Sequence, residues 1–155
     1  MNPILPEEAI EFGDAARKAC AALGGVDVAR RAEDDPAIRG GEVGLALAAL
    51  GIADVDPRAD AHSLAAAAAL CEAAGRVALP YPVAAVLLAD TDGRPFSVVP
   101  DRIARVDHGD LFDEWVISTL RGDATIAGPG GARLGTRLGP FVADLAPGAS
   151  APNRH

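Results

Sequence analysis

Three aspartates and a histidine lie close together in the chain between residues 54 and 62, which makes this segment the first candidate for a metal site. They are Asp54, Asp56, Asp60 and His62. Alternating acidic residues are typical of calcium loops, because calcium prefers carboxylate and carbonyl oxygen ligands. Such a loop also needs glycine at its sixth position and glutamate at its twelfth, and here these are Ala59 and Ala65. We therefore interpret the segment as a solvated acidic loop and predict no metal ligands.

A glycine-rich segment at residues 128–131 is the second candidate, because backbone N–H groups in such segments can bind phosphate. It reads Gly128-Pro129-Gly130-Gly131 and is followed by Arg133 and Arg137. Neither of the spaced glycine patterns of nucleotide-binding loops is present, and no helix start follows. We interpret it as a loop between strands, with two solvated arginines nearby.

The remaining reactive side chains do not form a recognisable catalytic pattern. They are His62, His108, His155, Ser63, Ser118, Cys20 and Cys71. The histidines are far apart, and the serines lack the context of a nucleophile elbow. Both cysteines fall in helical patterns, which favours small buried thiols over a disulfide. The patterns alone therefore predict no catalytic residue and no metal ligand, and leave cofactor-binding residues unknown.

Charge and composition exclude several classes of partner. The net charge is −8, and most of it comes from residues 1–90. This acidity argues against nucleic acid or an anionic membrane as a partner, since both require clustered cations. The longest apolar stretch is interrupted by Glu72, Arg76 and Pro80, and the N-terminus lacks a signal-peptide pattern. We expect a cytoplasmic protein that does not cross a membrane.

The first ninety residues have the periodicity of helices. Predicted helices cover Asn2–Leu23, Val26–Glu33, Glu42–Leu50, an Ala-rich helix that continues to Leu79, and Val83–Ala89, with a turn at Gly40-Gly41. The apolar face of the first helix is predicted to be Ala9, Phe12, Ala16, Ala19 and Leu23. That of the Ala-rich helix is predicted to be Leu64, Ala68, Cys71 and Gly75. Pro80 ends the Ala-rich helix, because proline cannot continue it.

After Asp90 the pattern changes to short strands. They are predicted at Phe96–Val99, Arg102–Asp107, Glu114–Leu120, Ala124–Ala127 and Leu138–Leu145. The sequence thus predicts an α+β fold: an N-terminal antiparallel helical bundle over residues 1–90, then a small antiparallel β segment over residues 91–145. Residues 146–155 are rich in proline, alanine and glycine and are predicted to be a disordered tail. Half of the residues are hydrophobic but only 4% are aromatic. Such a small-residue core suggests modest stability without a partner.

Part of the helical half resembles a known family. The segments concerned are Leu47-Ala48-Ala49-Leu50-Gly51-Ile52, Val55-Asp56-Pro57 and Glu72-Ala73-Ala74-Gly75-Arg76-Val77-Ala78-Leu79-Pro80-Tyr81-Pro82. They resemble the N-terminal helical domain of acyl-CoA dehydrogenases, in which a helix commonly ends Glu-x-x-Gly-Arg-x-Leu-Ala-Pro-x-Pro. Leu5-Pro6-Glu7-Glu8 and Ala15-Ala16-Arg17 are similar to its first helix. The resemblance covers roughly residues 3–88, and residues 134–141 look like part of the family's middle β-domain.

The resemblance implies an oxidoreductase fold and a cofactor. In that family a glutamate removes the α-proton of an acyl thioester while FAD accepts the β-hydride. Here Arg58-Ala59-Asp60-Ala61 stands in place of the family's Tyr-Gly-Gly loop. The flavin-contacting Thr-Glu-Pro and Trp-x-Ser/Thr segments are not found, and no segment before His155 matches the C-terminal domain that supplies the glutamate. The expectation is a subunit or fragment that is not catalytic alone.

Two functions of different class follow. The chain could contribute to a FAD-dependent, acyl-CoA-desaturating assembly of lipid or steroid metabolism, with a second dehydrogenase subunit or a further copy of itself as partner. Alternatively, it is a stand-alone binding module that kept the helical scaffold and lost the flavin chemistry. The first predicts that flavin appears only with the partner, and the second predicts a colourless protein that is indifferent to FAD and acyl-CoA.

Overall fold

The computed structural model describes residues 7–100, 105–130 and 139–147. The chain divides into two compact units, Met1–Leu87 and Leu88–His155. The first unit is helical and the second is a sheet, so the predicted combination of helices followed by strands is confirmed. No helix in the described ranges combines the length and the hydropathy needed to cross a membrane.

Five α-helices and two short irregular helices make up the described part of the helical unit. The α-helices are α1 (Glu7–Ala22), α2 (Val26–Asp34), α3 (Gly44–Ala49), α4 (Ala61–Arg76) and α5 (Val83–Leu87). A π-helix at Arg39–Val43 runs directly into α3, and a 3₁₀ helix at Ile52–Asp54 follows it. The predicted turn at Gly40-Gly41 is therefore wrong: both glycines lie within the π-helix.

Small residues let α1 and α4 approach closely. A Cβ placed on Gly13 of α1 would lie 3.1 Å from the Cβ of Ala69 in α4. The fully buried positions of α1 are Ala9, Gly13, Ala16 and Cys20. The predicted face of α1 is correct at Ala9 and Ala16, but Phe12, Ala19 and Leu23 are only partly buried.

The predicted face of α4 is wrong. Its buried residues are Ala67, Leu70, Ala73 and Ala74. Leu64 is 56% exposed and Ala68 and Gly75 are also exposed, whereas Cys71 is partly buried. Because alanine occurs on every side of this helix, apolar periodicity did not distinguish its buried face. The burial of Leu70 in the core shows which side of α4 faces inward.

The end of α4 comes earlier than predicted, at Arg76 rather than Leu79. Ala78 adopts a left-handed conformation with φ of 49°. The N–H of Leu79 then donates to the carbonyl of Ala74 at 3.0 Å, and the N–H of Ala78 donates to that of Gly75 at 3.2 Å. These two bonds form a Schellman motif, in which a left-handed residue closes the last turn. Leu79 is thereby returned to the helical core, where it is 7% exposed.

The sheet unit contains five strands in the described residues. They are β1 (Phe96–Val99), β2 (Arg105–Asp107), β3 (Trp115–Thr119), β4 (Ala124–Pro129) and β5 (Val142–Pro147). Their order in the sheet is β1-β3-β4-β5-β2. The predicted wholly antiparallel arrangement is wrong, because β1 and β3 pair in parallel, with Phe96 opposite Val116. The other three pairings are antiparallel. The two outer strands, β1 and β2, also contact each other, which gives the mixed sheet a barrel-like curvature.

Parallel pairing follows from where β2 lies. β2 comes between β1 and β3 in sequence, but it pairs with β5 at the other edge of the sheet. Strands β1 and β3 are then neighbours without a direct hairpin, and a connection through another element allows them to run in the same direction. The core of this unit includes Trp115 and Ile117 of β3 and Val106 of β2.

Two of the predicted boundaries in this unit also change. β4 continues through Gly128 and Pro129, which were predicted to begin a loop, and β5 includes Ala146 and Pro147, which were predicted to begin the tail. Residues 1–6, 101–104, 131–138 and 148–155 lie outside the described residues, and so do the parts of the predicted first helix, strands and tail that fall there.

Candidate functional site

The acidic segment at residues 54–62 is spread over several local structures. Asp56 accepts from the backbone N–H of Arg58 at 3.0 Å, and Asp60 caps α4 by accepting from the N–H of Ser63 at 2.7 Å. These bonds hold the pKa of both carboxyls below the ordinary value of aspartate. Nowhere in the described residues do three metal-ligating side chains come together. The carboxylates of Asp56 and Asp60 serve the local backbone.

The other candidate nucleophiles and bases are dispersed. Ser63 lies in the first turn of α4, beside the exposed His62, and Ser118 lies on β3 with its hydroxyl donating to the carbonyl of Thr119 at 3.2 Å. Cys20 is buried and Cys71 is half-buried, both as free thiols. Burial raises the pKa of both thiols, which lowers their reactivity at neutral pH.

The glycines of the segment at 128–131 have a packing role. A Cβ on Gly128 would lie 2.9 Å from the carbonyl oxygen of Asp113, and one on Gly130 would lie 3.1 Å from the backbone nitrogen of Ala146. Gly130 also donates its N–H to the carbonyl of Asp144 at 2.9 Å. Close backbone approach inside the sheet unit explains both glycines without a bound phosphate. Arg133, Arg137 and His155 lie outside the described residues.

The helical unit contains one polar group of a different kind, which we call the π-turn site: Arg39, Glu42, Gly44 and Tyr81. Arg39 is a charged residue that is only 2% exposed. It opens the π-helix, and its Nε donates to the carbonyl of Pro36 at 3.2 Å. Charged side chains are seldom buried to this degree, and π-helical turns frequently accompany functional sites.

Tyr81 lies against this turn. A Cβ on Gly44 would be 3.5 Å from the Tyr81 ring, 3.9 Å from its hydroxyl oxygen and 3.4 Å from the Arg39 carbonyl. Burial raises the pKa of the Tyr81 hydroxyl, so it remains protonated at neutral pH. The Pro80-Tyr81-Pro82 segment after α4 thus holds an aromatic ring against the junction of the π-helix and α3.

Arg31 of α2 holds the other side of the π-turn site. Its two terminal nitrogens contact the two carboxylate oxygens of Glu42 at 2.9 and 2.7 Å. One of them also donates to the carbonyl of Leu23 at 3.1 Å. The hydrogen bonds from Arg31 hold the pKa of Glu42 below its ordinary value. This bidentate pair joins α2, the π-helix and the segment after α1.

The sheet unit has its own polar cluster around Arg94. Arg94 contacts Asp90 at 2.7 Å, Glu114 at 3.6 Å and also Asp92. Burial opposes ionisation of Asp90, but the hydrogen bonds from Arg94 and from backbone N–H groups outweigh it and lower the pKa of Asp90. The cluster closes the turn before β1, with three carboxylates gathered around one arginine.

The chemistry available at the π-turn site is hydrogen bonding and orientation. Arg39 and the protonated Tyr81 are donors, and the carboxylate of Glu42 is held in its bidentate pair with Arg31, so none of the three is placed to act as a general base. Sequence patterns did not single out this site. The adjacent glycines 40 and 41, between Arg39 and Glu42, were the available signal, but they read equally well as a turn.

Two aromatic side chains of the sheet unit, Trp115 and Phe112, pack against each other. Trp115 is fully buried, and its indole N–H donates to the carbonyl of Gly109 at 3.2 Å. Phe112 packs edge-on against it, with ring centroids 5.6 Å apart. The only tryptophan of the chain is therefore part of the core of this unit.

Comparison of the chain with protein-family models, with curated proteins and with solved structures found no match.

Proposed function

We propose that this chain is an acyl-CoA dehydrogenase-like subunit or fragment that is not catalytic alone and contributes to a FAD-dependent assembly acting on acyl-CoA thioesters. The observation that carries the proposal is the segment Glu72–Pro82, where the residue pattern of the family's helix end coincides with a helix end in the structure. Gly75 and Arg76 form the last turn of α4, and Leu79 is buried just before Pro80.

Several further assignments belong to this proposal. They are an antiparallel helical bundle of the family's N-terminal type, a cytoplasmic location, a role in lipid or steroid metabolism, and a second dehydrogenase subunit or another copy of this chain as partner. The acidic surface supports a protein partner over nucleic acid, since the net charge is −8.

The flavin belongs to the partner in this proposal. Trp115 is buried and its N–H is already bonded, so its ring is not available to a flavin. The contribution of this chain is then a folded surface that completes or stabilises the partner.

The test is co-expression with a full-length dehydrogenase encoded nearby, with the partner expressed alone as control. The expected result is co-purification and a flavin absorbance band that appears, or increases, only when both chains are present. Unchanged FAD content and unchanged acyl-CoA turnover of the partner after removal of this chain would rule the proposal out.

The second candidate is a stand-alone binding module, and the burial of Trp115 in the core of the sheet unit favours it. It predicts a colourless protein that unfolds cooperatively on heating. Neither FAD nor acyl-CoA should change the temperature of this transition. A rise in the transition temperature with either ligand would count against it, because a ligand that binds the folded state stabilises that state.

A further inference from the structure

The π-helix and α3 form a segment with little stability of its own. Helix α3 has six residues, and the π-helix has five. Isolated helices of this length are unstable in water, and π geometry is rare. Gly40 and Gly41 are both exposed, and a Cβ on Gly41 would meet nothing within 4 Å. The centre of the π-helix is therefore not fixed by packing, and glycine adds conformational entropy to any open form.

Apolar packing holds the segment at only a few positions. Val43 is fully buried and Leu47 is 1% exposed, but Leu45 between them is 70% exposed. Opening the segment would uncover Val43 and Leu47 beside Leu45. Opening must therefore expose these two core side chains, and any contact that ties the segment to a neighbouring helix adds to the free energy that resists it.

The Arg31–Glu42 pair is a polar contact of this kind, because it joins α2 to the π-helix. It is bidentate, which gives it a defined geometry, and it joins residues eleven positions apart. Its side chains are 47% and 42% exposed, so dissolved salt can screen it. Among the described residues, Arg30 of the same helix pairs with Asp27, three positions away in α2, and this pair does not reach a second element.

We propose that the Arg31–Glu42 ion pair controls local opening of the π-helix and α3, so that residues 39–49 open and close without unfolding of α1 and α4. Salt weakens the pair and shifts the segment toward the open form, which presents Val43, Leu45 and Leu47 together. The opening is a property of the helical unit and does not depend on the proposed function.

Amide hydrogen exchange of the full chain tests the proposal. Arg31→Gln and Glu42→Gln should each raise the exchange rates of residues 43–50 about two- to fivefold, the range expected for loss of an exposed ion pair. The double variant should raise them no further than either single variant. Arg30→Gln is the matched control and should leave these rates unchanged. Amides in the centres of α1 and α4 should keep their rates in all variants.

Salt provides the second readout. Raising sodium chloride from about 0.05 M to about 1 M should speed exchange of residues 43–50 in the natural protein but not in Arg31→Gln. Unchanged exchange of these amides in both single variants would overturn the proposal. An equal increase in the centre of α4 would also overturn it, because the pair would then contribute to global stability and not to a local opening.

Discussion

Gly13 and Gly75 both lie in helices of the same unit, but their surroundings differ. A methyl group on Gly13 would sit 3.1 Å from the Cβ of Ala69, whereas one on Gly75 would have no neighbour within 4 Å. The first glycine allows two helices to approach, and the second contributes only backbone freedom. The same residue type therefore has opposite consequences for stability at the two positions.

Gly75→Ala should raise the free energy of unfolding by about 0.5–1 kcal/mol, because alanine restricts the unfolded chain and favours the helix. Gly13→Ala should lower it by about 1 kcal/mol, because Ala69 belongs to a helix and can yield only if α1 and α4 separate. Chemical denaturation of the two variants measures both values. A Gly13→Ala variant as stable as Gly75→Ala would contradict the close approach.

Gly128→Ala should be more harmful, because its methyl group would lie 2.9 Å from a backbone carbonyl oxygen that cannot rotate away. We expect a loss of about 2 kcal/mol or more, the usual scale for overpacking against rigid neighbours. The urea midpoint of the variant gives the measurement. An unchanged midpoint would mean that the strand can shift to accept the methyl group.

At the scale of the element, the last turn of α4 is closed by an alanine in a backbone conformation that usually requires glycine. Ala78 occupies the left-handed position of the Schellman motif, where glycine is the usual residue. A residue with a Cβ is destabilised in this conformation, and here the bonds from Leu79 and Ala78 to the last turn offset that cost.

Ala78→Gly should therefore stabilise the protein by about 0.5–1 kcal/mol, after the greater entropy of unfolded glycine is subtracted. Ala68→Gly is the control, since Ala68 is exposed within α4, and it should destabilise by about 1 kcal/mol. Thermal unfolding of the pair provides the comparison. If both variants lose stability equally, the left-handed position at residue 78 is contradicted.

At the scale of the whole molecule, the acidic charge shapes stability through a few partnered carboxylates. Hydrogen bonds and ion pairs lower the pKa of Glu42, Asp56, Asp60, Glu72 and Asp90. A carboxyl whose pKa is lower in the folded state stabilises the fold at pH values above its unfolded pKa. This contribution is lost as the pH falls through the folded value.

The unfolding temperature should thus be steady above about pH 5 and fall below the ordinary carboxyl values of 3.8 and 4.5. Asp60→Asn should weaken this fall, because asparagine also caps a helix but does not titrate. Glu8→Gln, which removes an exposed charge from α1, is the control. Thermal unfolding between pH 7 and pH 3 provides the measurement. If the unfolding temperature of Asp60→Asn falls as steeply with decreasing pH as that of the natural protein, the role of Asp60 is contradicted.

Local signals were sufficient for the elements but not for their pairing. Proline and glycine punctuation located five helices and the strands of the described residues, with ends displaced by a few positions. The face of α4 was missed because its alanines surround the helix, and the parallel pairing of β1 and β3 was missed because neighbours in a sheet need not be neighbours in sequence.

The candidate site shows the same division. Its residues come from separate segments: Arg39 and Glu42 from the π-helix, Gly44 from α3 and Tyr81 from the chain after α4, with Arg31 of α2 bonded to Glu42. Asp56 and Asp60, whose roles depend on near neighbours in sequence, stabilise a turn and cap α4. Contacts between distant segments carry no local spacing, so sequence patterns could not find them.

The sequence by itself determined the helix-then-strand order, the acidic surface and the small-residue character of the core, because these depend on composition and on interactions between near neighbours. Only the tertiary structure decided that Leu70 faces inward and Leu64 outward, and that the tryptophan is fully buried. It also decided that Arg39 is buried in a π-helix against whose end Tyr81 packs. These outcomes depend on which segments meet, and that is set by the packing of the whole chain.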